Sequence, residues 1–469
     1  MHKPFALSLA LSLVAPMGAM AATADDMRLL RNEIESIRAA YEARLQALER
    51  RLKAAEAGLA ASPPPLPLAP PPTPLPPMGS ATPSGASAFN PAMSLILSGI
   101  FSRTSRDAAN VAIRGFRLPA DAEVGLGVRG FSLAESELRL SASIDPWWRG
   151  AANFALHGDN SVSVEEAFVQ TTVLGRGLSL KAGRFFSGIG YLNAQHAHTW
   201  DFVDNPLAYQ ALLGTQYGDD GLQLTWLAPL DHYLELGAEL GRGRSFPGSD
   251  SGRNGAGMTA LTAHTGGDIG ASHNWRAGLS VLNTKAVDQG LQASNALGQL
   301  VSDKFSGSTR VWVIDAVWKW APEGNASRTN FKLQAEWLRS TRSGSLVADG
   351  GSASVDGPAP YLANNASTYR ATSSGGYVQA VYQFMPSWRV GLRSERLIPA
   401  ASDAGLNAIA LGSRGYRPTK QSLMLDFSAS EFSRLRLQLA QDRSRMGLAD
   451  QQISLQYQMS LGAHGAHAY

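Results

Sequence analysis

The feature that most limits what this chain can fold into is the alternation of apolar and polar side chains from Met93 to the end. In SELRLSASID, for example, Leu138, Leu140, Ala142 and Ile144 share one side, and small polar or charged residues share the other. Successive side chains of a β-strand point to opposite faces, so each such segment predicts a strand with one apolar face. About sixteen segments of this kind follow one another, an even number as in bacterial membrane barrels. After residue 21, no apolar run reaches the ~20 residues that a membrane-spanning helix needs.

The apolar faces could meet lipid, or meet one another in the core of a water-soluble β-sandwich. Tight turns and long loops alternate between the segments, as at the two ends of a membrane barrel. The predicted turns are 145–146, 174–177, 228–229, 385–386 and 430–431, and the predicted long loops are 242–257, 284–307, 340–374 and 398–418. Five tryptophans near predicted strand ends suit the two interfaces of a bilayer: Trp148, Trp226, Trp318, Trp320 and Trp388. We therefore predict an all-β fold, a transmembrane antiparallel β-barrel of about 16 strands over residues 92–469.

Three segments are predicted before the barrel. An apolar run at 5–14 is followed by Ala-Met-Ala at 19–21, so residues 1–21 are predicted to be a secretory signal peptide. Residues 22–61 carry a heptad seam and predict an α-helical coiled coil, with a single amphipathic helix packed elsewhere as the alternative. Residues 62–91 are rich in proline and predict an extended linker. The chain has no cysteine, so disulfides and thiolate metal sites are excluded.

The compartment and the seam predict the partners. A signal peptide and a barrel together predict the bacterial outer membrane, with outer-membrane lipid around the barrel and the coiled coil in the periplasm. Ile34 and Ile37 at adjacent core positions favour a parallel homotrimer. A formal net charge of only +3 argues against nucleic acid as a partner.

One stretch carries a family resemblance. VEEAFVQTTVLGRGLSLKAGRFFSGIGYL, Val164–Leu192, has the pattern strand, tight turn, strand and Gly-broken loop, and GTQYGDDGLQLTWLAP, Gly214–Pro229, has the pattern of a return strand. This order and these residues resemble the phosphate-selective porin family of bacterial outer membranes. The run QHAHTWDFVDNPLAYQALLGTQYGDDG, Gln195–Gly221, resembles a branch of that family whose members are often labelled TonB-dependent receptors and are sometimes associated with zinc limitation. The resemblance implies a barrel of about sixteen strands, often trimeric, in which this long loop folds inward and narrows the channel.

Two departures limit what the resemblance implies. Phosphate selectivity in that family rests on a ladder of inward Arg and Lys, whereas the inward positions here mix both signs of charge. The predicted pore-lining residues are Arg139, Arg149, Glu166, Lys181, Glu235, Lys332, Arg389, Arg393, Arg434 and Arg436. A mixed lining does not license a claim of anion selectivity. A TonB-dependent receptor needs a plug domain and about 22 strands, which residues 93–469 cannot supply.

The loop from Ser187 to Tyr217 is the predicted constriction. Its apolar residues would expose too much surface if it extended into water, so we expect it to pack inside the barrel and leave its polar side chains in the channel. The predicted constriction residues are Tyr191, Asn193, Gln195, His196, His198, Asp201 and Asp204. Imidazoles near their unperturbed pKa of about 6.5 would make this lining more positive in mild acid.

His196, His198 and Asp201 could also hold a transient zinc ion, because imidazole and carboxylate are zinc ligands, although H-x-H-x-x-D is not a specific signature. No other cofactor is predicted. No Ser-His-Asp order, P-loop or HExxH pattern accompanies these residues, so no enzyme and no catalytic residue is predicted. The sequence favours a porin-like channel for passive uptake of small polar solutes or ions. The alternatives are a zinc-related uptake or binding barrel, and a barrel-anchored envelope tether that works through its coiled coil.

Overall fold

The computed structural model describes residues 91–462, apart from 108–111, 120–121, 123, 251–253, 295–299, 348–365, 401, 404, 406–414 and 446. The predicted signal peptide 1–21, the predicted coiled coil 22–61 and all but the last residue of the predicted linker 62–91 lie outside the described residues. Those three segments stay predictions.

Eighteen strands in the described residues form one sheet. The strands are β1 Ala92–Thr104, β2 Gly130–Leu133, β3 Ser136–Ser143, β4 Trp148–Leu156, β5 Val162–Thr171, β6 Leu178–Phe186, β7 Gly218–Leu227, β8 Tyr233–Gly241, β9 Met258–Ile269, β10 His273–Ser294, β11 Leu300–Trp320, β12 Asn330–Val347, β13 Ala366–Met385, β14 Trp388–Ile398, β15 Ser402–Asp403, β16 Thr419–Ser430, β17 Ser433–Arg443 and β18 Asp450–Gly462. All pairings are antiparallel, and β1 pairs with both β3 and β18, which closes the sheet on itself. The short β2 pairs with β1, and the short β15 pairs with β13. The remaining sixteen strands are the closed barrel, which confirms the fold and the number that the alternation predicts.

The helical elements are short. Among the described residues, one α-helix, α1, spans Leu207–Leu213, and two 3₁₀ turns span Ala197–Thr199 and Pro322–Gly324. Helix α1 ends at Gly214, whose φ of 70° is the left-handed conformation that glycine adopts at helix ends. No helix in the described part of the chain has both the length and the apolar content to cross a membrane.

The outer surface of the barrel is apolar in continuous rows. Leu423, Leu439 and Ile453 are cross-strand neighbours, and each exposes about two fifths of its surface. The alternate positions point inward, where Lys420 and Gln438 are almost fully buried. Aliphatic side chains outside and polar side chains inside are the arrangement of a barrel surrounded by lipid.

The two ends of the barrel differ as predicted. The five predicted turns all connect adjacent strands at one end, which we call the short-turn end. Trp148, Trp226, Trp318, Trp320 and Trp388 all lie within a few residues of that end. The longer connections leave from the opposite, long-loop end.

Two predicted loops are wrong in extent. Most of 284–307 and part of 340–374 are strand, because β10 pairs with β11 beyond Thr284↔Thr309 and β12 pairs with β13 from Thr341↔Thr372 to Val347↔Ala366. These extensions are rich in Gly, Ser and Thr, which signal a loop in the sequence. The backbone ladder nevertheless continues, since it needs partners and not an apolar face.

The barrel interior holds an apolar cluster near the long-loop end. Helix α1 packs there with Ile113, Phe116 and Leu118 from the segment after β1, and with inward side chains of β10 to β14. Members on the wall include Leu282, Phe305, Val311, Val313, Leu338, Tyr377 and Leu397. A loop that folds back into the barrel therefore has an apolar surface to pack on.

Candidate functional site

The segment Ser187–Tyr217 between β6 and β7, here the inner loop, begins and ends at one hydrogen-bonded neck. Asn193, which is fully buried, donates through Nδ2 to the carbonyl oxygens of Ser187 and Tyr217 at 2.8 and 2.9 Å. Its Oδ1 accepts from the backbone N–H of Tyr217 at 2.8 Å. Asn193 thus satisfies backbone groups that the fold of the loop would otherwise leave unpaired. The predicted constriction residue Asn193 holds the neck and contacts backbone on both sides of it.

Glu336 on β12 anchors the next turn of the inner loop. Its carboxylate accepts from the backbone N–H groups of Tyr191 and Leu192 at 3.0 and 3.1 Å, and from the Tyr209 hydroxyl at 2.7 Å. The Tyr377 hydroxyl on β13 donates to the same carboxylate. Burial, and then the charge of Glu336, raise the pKa of Tyr209 well above 10, so this hydroxyl stays a donor.

Two further wall carboxylates accept from the loop backbone in the same way. Glu239 on β8 accepts from the N–H of Gly188 at 2.8 Å, and Glu395 on β14 accepts from the N–H of Leu207, the first residue of α1. Hydrogen bonds to charged acceptors are the stronger class. The wall therefore holds both the start and the middle of the loop.

Asp204 of the inner loop meets basic side chains of the wall. Arg393 donates to Asp204 Oδ1 at 2.7 Å, Gln438 donates to the same oxygen at 3.0 Å, and the Lys420 ammonium contacts Oδ2. Burial alone would raise the pKa of the Asp204 carboxyl, but Lys420 and Arg393 hold it well below its usual range. All three charged side chains expose 4% or less.

Asp201 makes a second contact of this type. Arg389 donates to Asp201 Oδ1 at 3.3 Å, Gln379 donates to Oδ2 at 3.0 Å, and Lys332 contacts Oδ2. Burial opposes ionisation of Asp201, but the charges of Lys332 and Arg389 hold its pKa well below the usual range. Asp201 is therefore a buried anion bound to two cations.

Two arginines of β17 bind the loop backbone. Arg434 and Arg436 each donate through Nη2, to the carbonyl oxygens of His198 and Trp200 respectively, at 2.8 Å. Contacts to β8, β12, β14, β16 and β17 mean that the inner loop crosses the inside of the barrel. It does not extend away from the rim.

The two histidines of the inner loop meet a group of wall carboxylates. His196 Nδ1 lies 3.2 Å from Glu165 Oε2 and 3.3 Å from Glu137 Oε2, and His196 Nε2 lies 3.0 Å from Glu166 Oε2. His198 Nδ1 lies 2.7 Å from Glu137 Oε1. The two rings stack with centroids 5.8 Å apart. We call these five residues the His–Glu cluster.

A β-bulge brings two consecutive glutamates to one imidazole. The β4–β5 ladder pairs Asn153 with Glu166 and Phe154 with Val164, so Glu165 is the extra residue of β5. Neighbouring residues of a regular strand point to opposite faces, and a bulge changes the direction of a side chain. Period-two reasoning assigns only Glu166 to the interior and misses Glu165. Nothing in the sequence marks the bulge.

The charge state of His196 differs from the expectation for a free imidazole. Burial alone would lower the pKa of His196, but hydrogen bonds to Glu165 and Glu166 and the charge of Glu137 raise it from 6.5 to about 10. His196 therefore stays protonated across mild acid and neutral pH. The expected gain of positive charge near pH 6.5 is wrong for this residue.

The structure brings most of the predicted site residues to the inner loop. Of the predicted pore-lining residues, six contact it: Glu166, Lys332, Arg389, Arg393, Arg434 and Arg436. The other four do not contact the inner loop in this way. Arg139 is exposed, and Arg149 donates to Gln170 of the wall. The Lys181 ammonium lies over the Phe168 ring, and Glu235 lies 3.7 Å from His264.

The two remaining predicted constriction residues, Tyr191 and Gln195, make one contact with the wall and one within the inner loop. Tyr191 lies under the Arg276 guanidinium, and Gln195 donates to the Tyr191 carbonyl oxygen. Of the three predicted metal ligands, His196 and His198 lie together, whereas Asp201 binds Lys332 and Arg389.

Comparison by sequence gives one relative. No family model matches the chain. A protein of Aquifex aeolicus (strain VF5) whose description reads "Uncharacterized protein" is 29% identical over 409 residues, which cover 83% of this chain and 82% of the relative.

Among solved structures, the chain is similar to outer-membrane proteins at low identity. OmpTdeltaL8, a loop-deletion mutant of the outer membrane protein OmpT of Vibrio cholerae, has a TM-score of 0.48 at 9% identity and covers 80% of this chain and 100% of its own. OprB of Pseudomonas putida has a TM-score of 0.48 at 14% identity, and the match covers 79% of this chain and 94% of OprB. An anion-selective porin from Comamonas acidovorans has a TM-score of 0.48 at 10% identity, and the match covers 79% of this chain and 99% of that porin.

Proposed function

We propose that this protein is a porin-like channel of the bacterial outer membrane, through which small polar solutes or ions diffuse passively, and that the inner loop is its constriction. The observation that carries the proposal is the inner loop itself, a segment of about thirty residues bound across the inside of a closed barrel. A barrel that only anchored another domain would not need a loop bound to its walls at so many points.

The outer surface supports a membrane location. Apolar rows cover the outside of the barrel, and tryptophans collect at the short-turn end, as aromatic side chains do at a bilayer interface. Short turns at one end and longer connections at the other match the periplasmic and extracellular ends of outer-membrane barrels.

The distribution of exposed charge supports a weak preference for anions. Carboxylates that face inward, such as Glu137, Glu336 and Glu395, are 3% exposed or less and bind the inner loop or its partners. Arg139 and Arg149 share the inward-facing register of Glu137 and Asn153 on their strands, and both are exposed. A solute that passes the wall would meet these arginines, while the buried carboxylates are out of reach.

The assembly and the first 91 residues belong to the same proposal. A homotrimer of barrels in outer-membrane lipid, in which residues 22–61 form a periplasmic coiled coil, accounts for the heptad seam and the proline-rich linker. The predicted signal peptide at 1–21 would deliver the chain to this compartment.

Planar-bilayer recording on the full mature protein tests the proposal. We expect discrete conductance steps from detergent-purified protein that also shows heat-modifiable migration on a gel, the mark of a folded barrel. Folded, inserted protein that carries no current would refute the channel and favour the envelope tether.

A further inference from the structure

We propose that Glu137, Glu165, His196 and Asn153 form a binding site for a divalent first-row transition cation such as Zn²⁺. This goes beyond passive diffusion, and it stands whether or not the barrel conducts. The site differs from the predicted ligand set His196, His198 and Asp201, because carboxylates of β3 and β5 and an amide of β4 take the place of His198 and Asp201.

Three potential ligand atoms surround one point inside the barrel. Glu137 Oε2, Glu165 Oε2 and His196 Nδ1 lie within 4.8 Å of one another. The Nδ2 atom of Asn153 sits among them, 2.8 Å from Glu137 Oε2, 2.9 Å from Glu165 Oε2 and 2.9 Å from His196 Nδ1. Two carboxylate oxygens and one imidazole nitrogen that converge in this way are a set of ligand atoms that can bind a cation.

With protons alone, one of the three contacts of Asn153 Nδ2 is not a hydrogen bond. An amide nitrogen has two hydrogens, so it can donate to two of its three neighbours. If His196 Nδ1 carries a proton, it faces the amide as one donor against another. Asn153 is only 3% exposed, and its Oδ1 has no hydrogen-bond partner among the described residues. A buried amide with an unpaired oxygen needs an explanation.

A cation resolves the conflict between the two donors that face each other. Rotation of the Asn153 amide by half a turn exchanges Oδ1 and Nδ2, and places the oxygen among the three ligand atoms. The four side chains then offer two carboxylate oxygens, one amide oxygen and one imidazole nitrogen. Four such donors match the coordination number of zinc, and the imidazole favours zinc and its neighbours in the first row over Mg²⁺ or Ca²⁺.

A second set of side chains orients the first. Glu166 Oε2 lies 3.0 Å from His196 Nε2, so Nε2–H donates there, and Nδ1 becomes a metal ligand when a bound cation displaces its proton. Carboxylate–histidine–metal arrangements of this type are common in metal sites. His198 Nδ1 lies 2.7 Å from Glu137 Oε1 and holds that carboxylate from its other oxygen. The Phe186 ring meets the His196 ring edge to face at 5.3 Å and limits its rotation.

The charges point the same way. The side chains of Glu137, Glu165 and Glu166 expose only 2%, 11% and 13% of their surface. Three carboxylates around one imidazolium leave an excess of negative charge in a poorly solvated place, and a divalent cation offsets that excess. The bulge at Glu165 is the device that adds the third carboxylate, and bulges recur where a side chain must be turned to a site.

The rival explanation is that the His–Glu cluster only pins the inner loop to β3, β4 and β5 through ion pairs. Both explanations predict that loss of a glutamate loosens the loop. Only a metal site predicts a stoichiometric, selective cation affinity that an added carboxylate increases.

The test is zinc binding by the full mature protein in detergent, stripped with a chelator and dialysed. We expect one equivalent of Zn²⁺ per chain to bind in the presence of excess Mg²⁺, and Co²⁺ in its place to give the visible absorption of a low-symmetry site. Glu165→Gln should weaken zinc affinity by at least about 100-fold, since it removes an anionic ligand. Asn153→Asp should strengthen it several-fold, because an anionic oxygen replaces the amide.

Glu235→Gln is the matched control. Glu235 also faces a histidine, His264, at 3.7 Å, in a different part of the barrel, so its replacement should leave zinc affinity unchanged. Heat-modifiable migration checks that each variant is folded. If Glu165→Gln binds zinc as wild type does, the zinc is at other histidines and the proposal is wrong. If Asn153→Asp weakens binding as much as Glu165→Gln, the cluster is a pin and no metal site.

Discussion

Replacing Asp204 by asparagine should release part of the inner loop from the barrel wall. The substitution keeps the size of the side chain and removes its charge. Arg393 and Lys420 are then left in a setting where each exposes 2% or less of its side chain. The barrel itself should survive, because its backbone ladder does not pass through Asp204.

The free-energy cost of the substitution depends on which contacts Arg393 and Lys420 keep. Removal of one member of a buried ion pair costs about 3–5 kcal/mol, because the other charge is left buried without compensation. Arg393 still has Glu395 at 2.8 Å, and the new amide oxygen can still accept a hydrogen bond, so we take the lower end. A loss of about 3 kcal/mol raises the population of released loop roughly a hundredfold.

Two measurements follow that population. Hydrogen exchange of the backbone amides of 201–213 should become roughly a hundredfold faster in the variant, since local opening governs exchange there. Single-channel records should show larger and noisier conductance. Asp250→Asn is the control: its pair with Arg242 is about half exposed, and such a pair is worth about 0–1 kcal/mol. Unchanged exchange in folded Asp204→Asn would refute the claim that this carboxylate holds the loop.

The pH dependence of the same comparison has a definite sign. Burial is overcome by Lys420 and Arg393, so the pKa of Asp204 in the folded protein is below that of an unfolded chain, near 3.8. A carboxyl whose pKa is lowered on folding stabilises at all pH values above its unfolded pKa, and this stabilisation is lost as pH falls towards the folded pKa. The difference between wild type and Asp204→Asn should therefore be equal at pH 7.5 and 5.5, and should shrink only below about pH 4. A difference that already shrinks at pH 5.5 would contradict this assignment.

Two further predictions concern the neck and the lining. Asn193→Ala should open the loop neck at a cost of about 2–4 kcal/mol, seen as faster exchange of the flanking amides, whereas Asn274→Ala, which removes an exposed amide contact to a neighbouring aspartate, should change little. Reversing Arg139 and Arg149 together to glutamate should move ion preference towards cations by on the order of tenfold at low salt, measured as reversal potential in a salt gradient, since a unit charge 4 Å from an ion in water is worth about 1 kcal/mol. Arg310→Glu, on the outward face of β11, is the control, and an equal shift in that variant would show that the surface potential and not the lining is responsible.

The barrel can be predicted from the sequence because the alternation that specifies each strand involves neighbouring residues and repeats along the chain. Each strand needs only an apolar face, a polar face and a turn, and all three leave a trace in neighbouring residues. The five tryptophans, expected at the two interfaces, all lie at the short-turn end instead. The predicted loops 284–307 and 340–374 are wrong in extent because the ends of these paired strands beyond the apolar band need no hydrophobic face, so their Gly, Ser and Thr residues resemble a loop.

The inner loop and its wall contacts can be predicted only in part, because they join residues that are distant in the sequence. That the inner loop needs a wall could be inferred from its apolar residues, and Leu207 and Leu212 do lie in the internal cluster. Which wall residue pairs with which loop residue cannot be inferred, since the pairing depends on the register of strands that are far apart in the sequence. Glu165 was hidden by the bulge, and Asn153 has no feature in the sequence that separates it from any other strand asparagine.

The two ends of the inner loop's polar stretch carry opposite signs, and in the proposed channel this would determine which wall charges a solute can reach. At His196 the loop presents a cation to wall carboxylates, and at Asp201 and Asp204 it presents anions to wall cations. Each wall charge that binds the loop is removed from the surface that a solute can reach, whatever its sign. A tally of inward charges along the sequence therefore gives a mixed lining, whereas the weak anion preference proposed above rests on two arginines that remain exposed, Arg139 and Arg149. The fixed crossing of the loop, and not the composition of the wall, is what would determine selectivity.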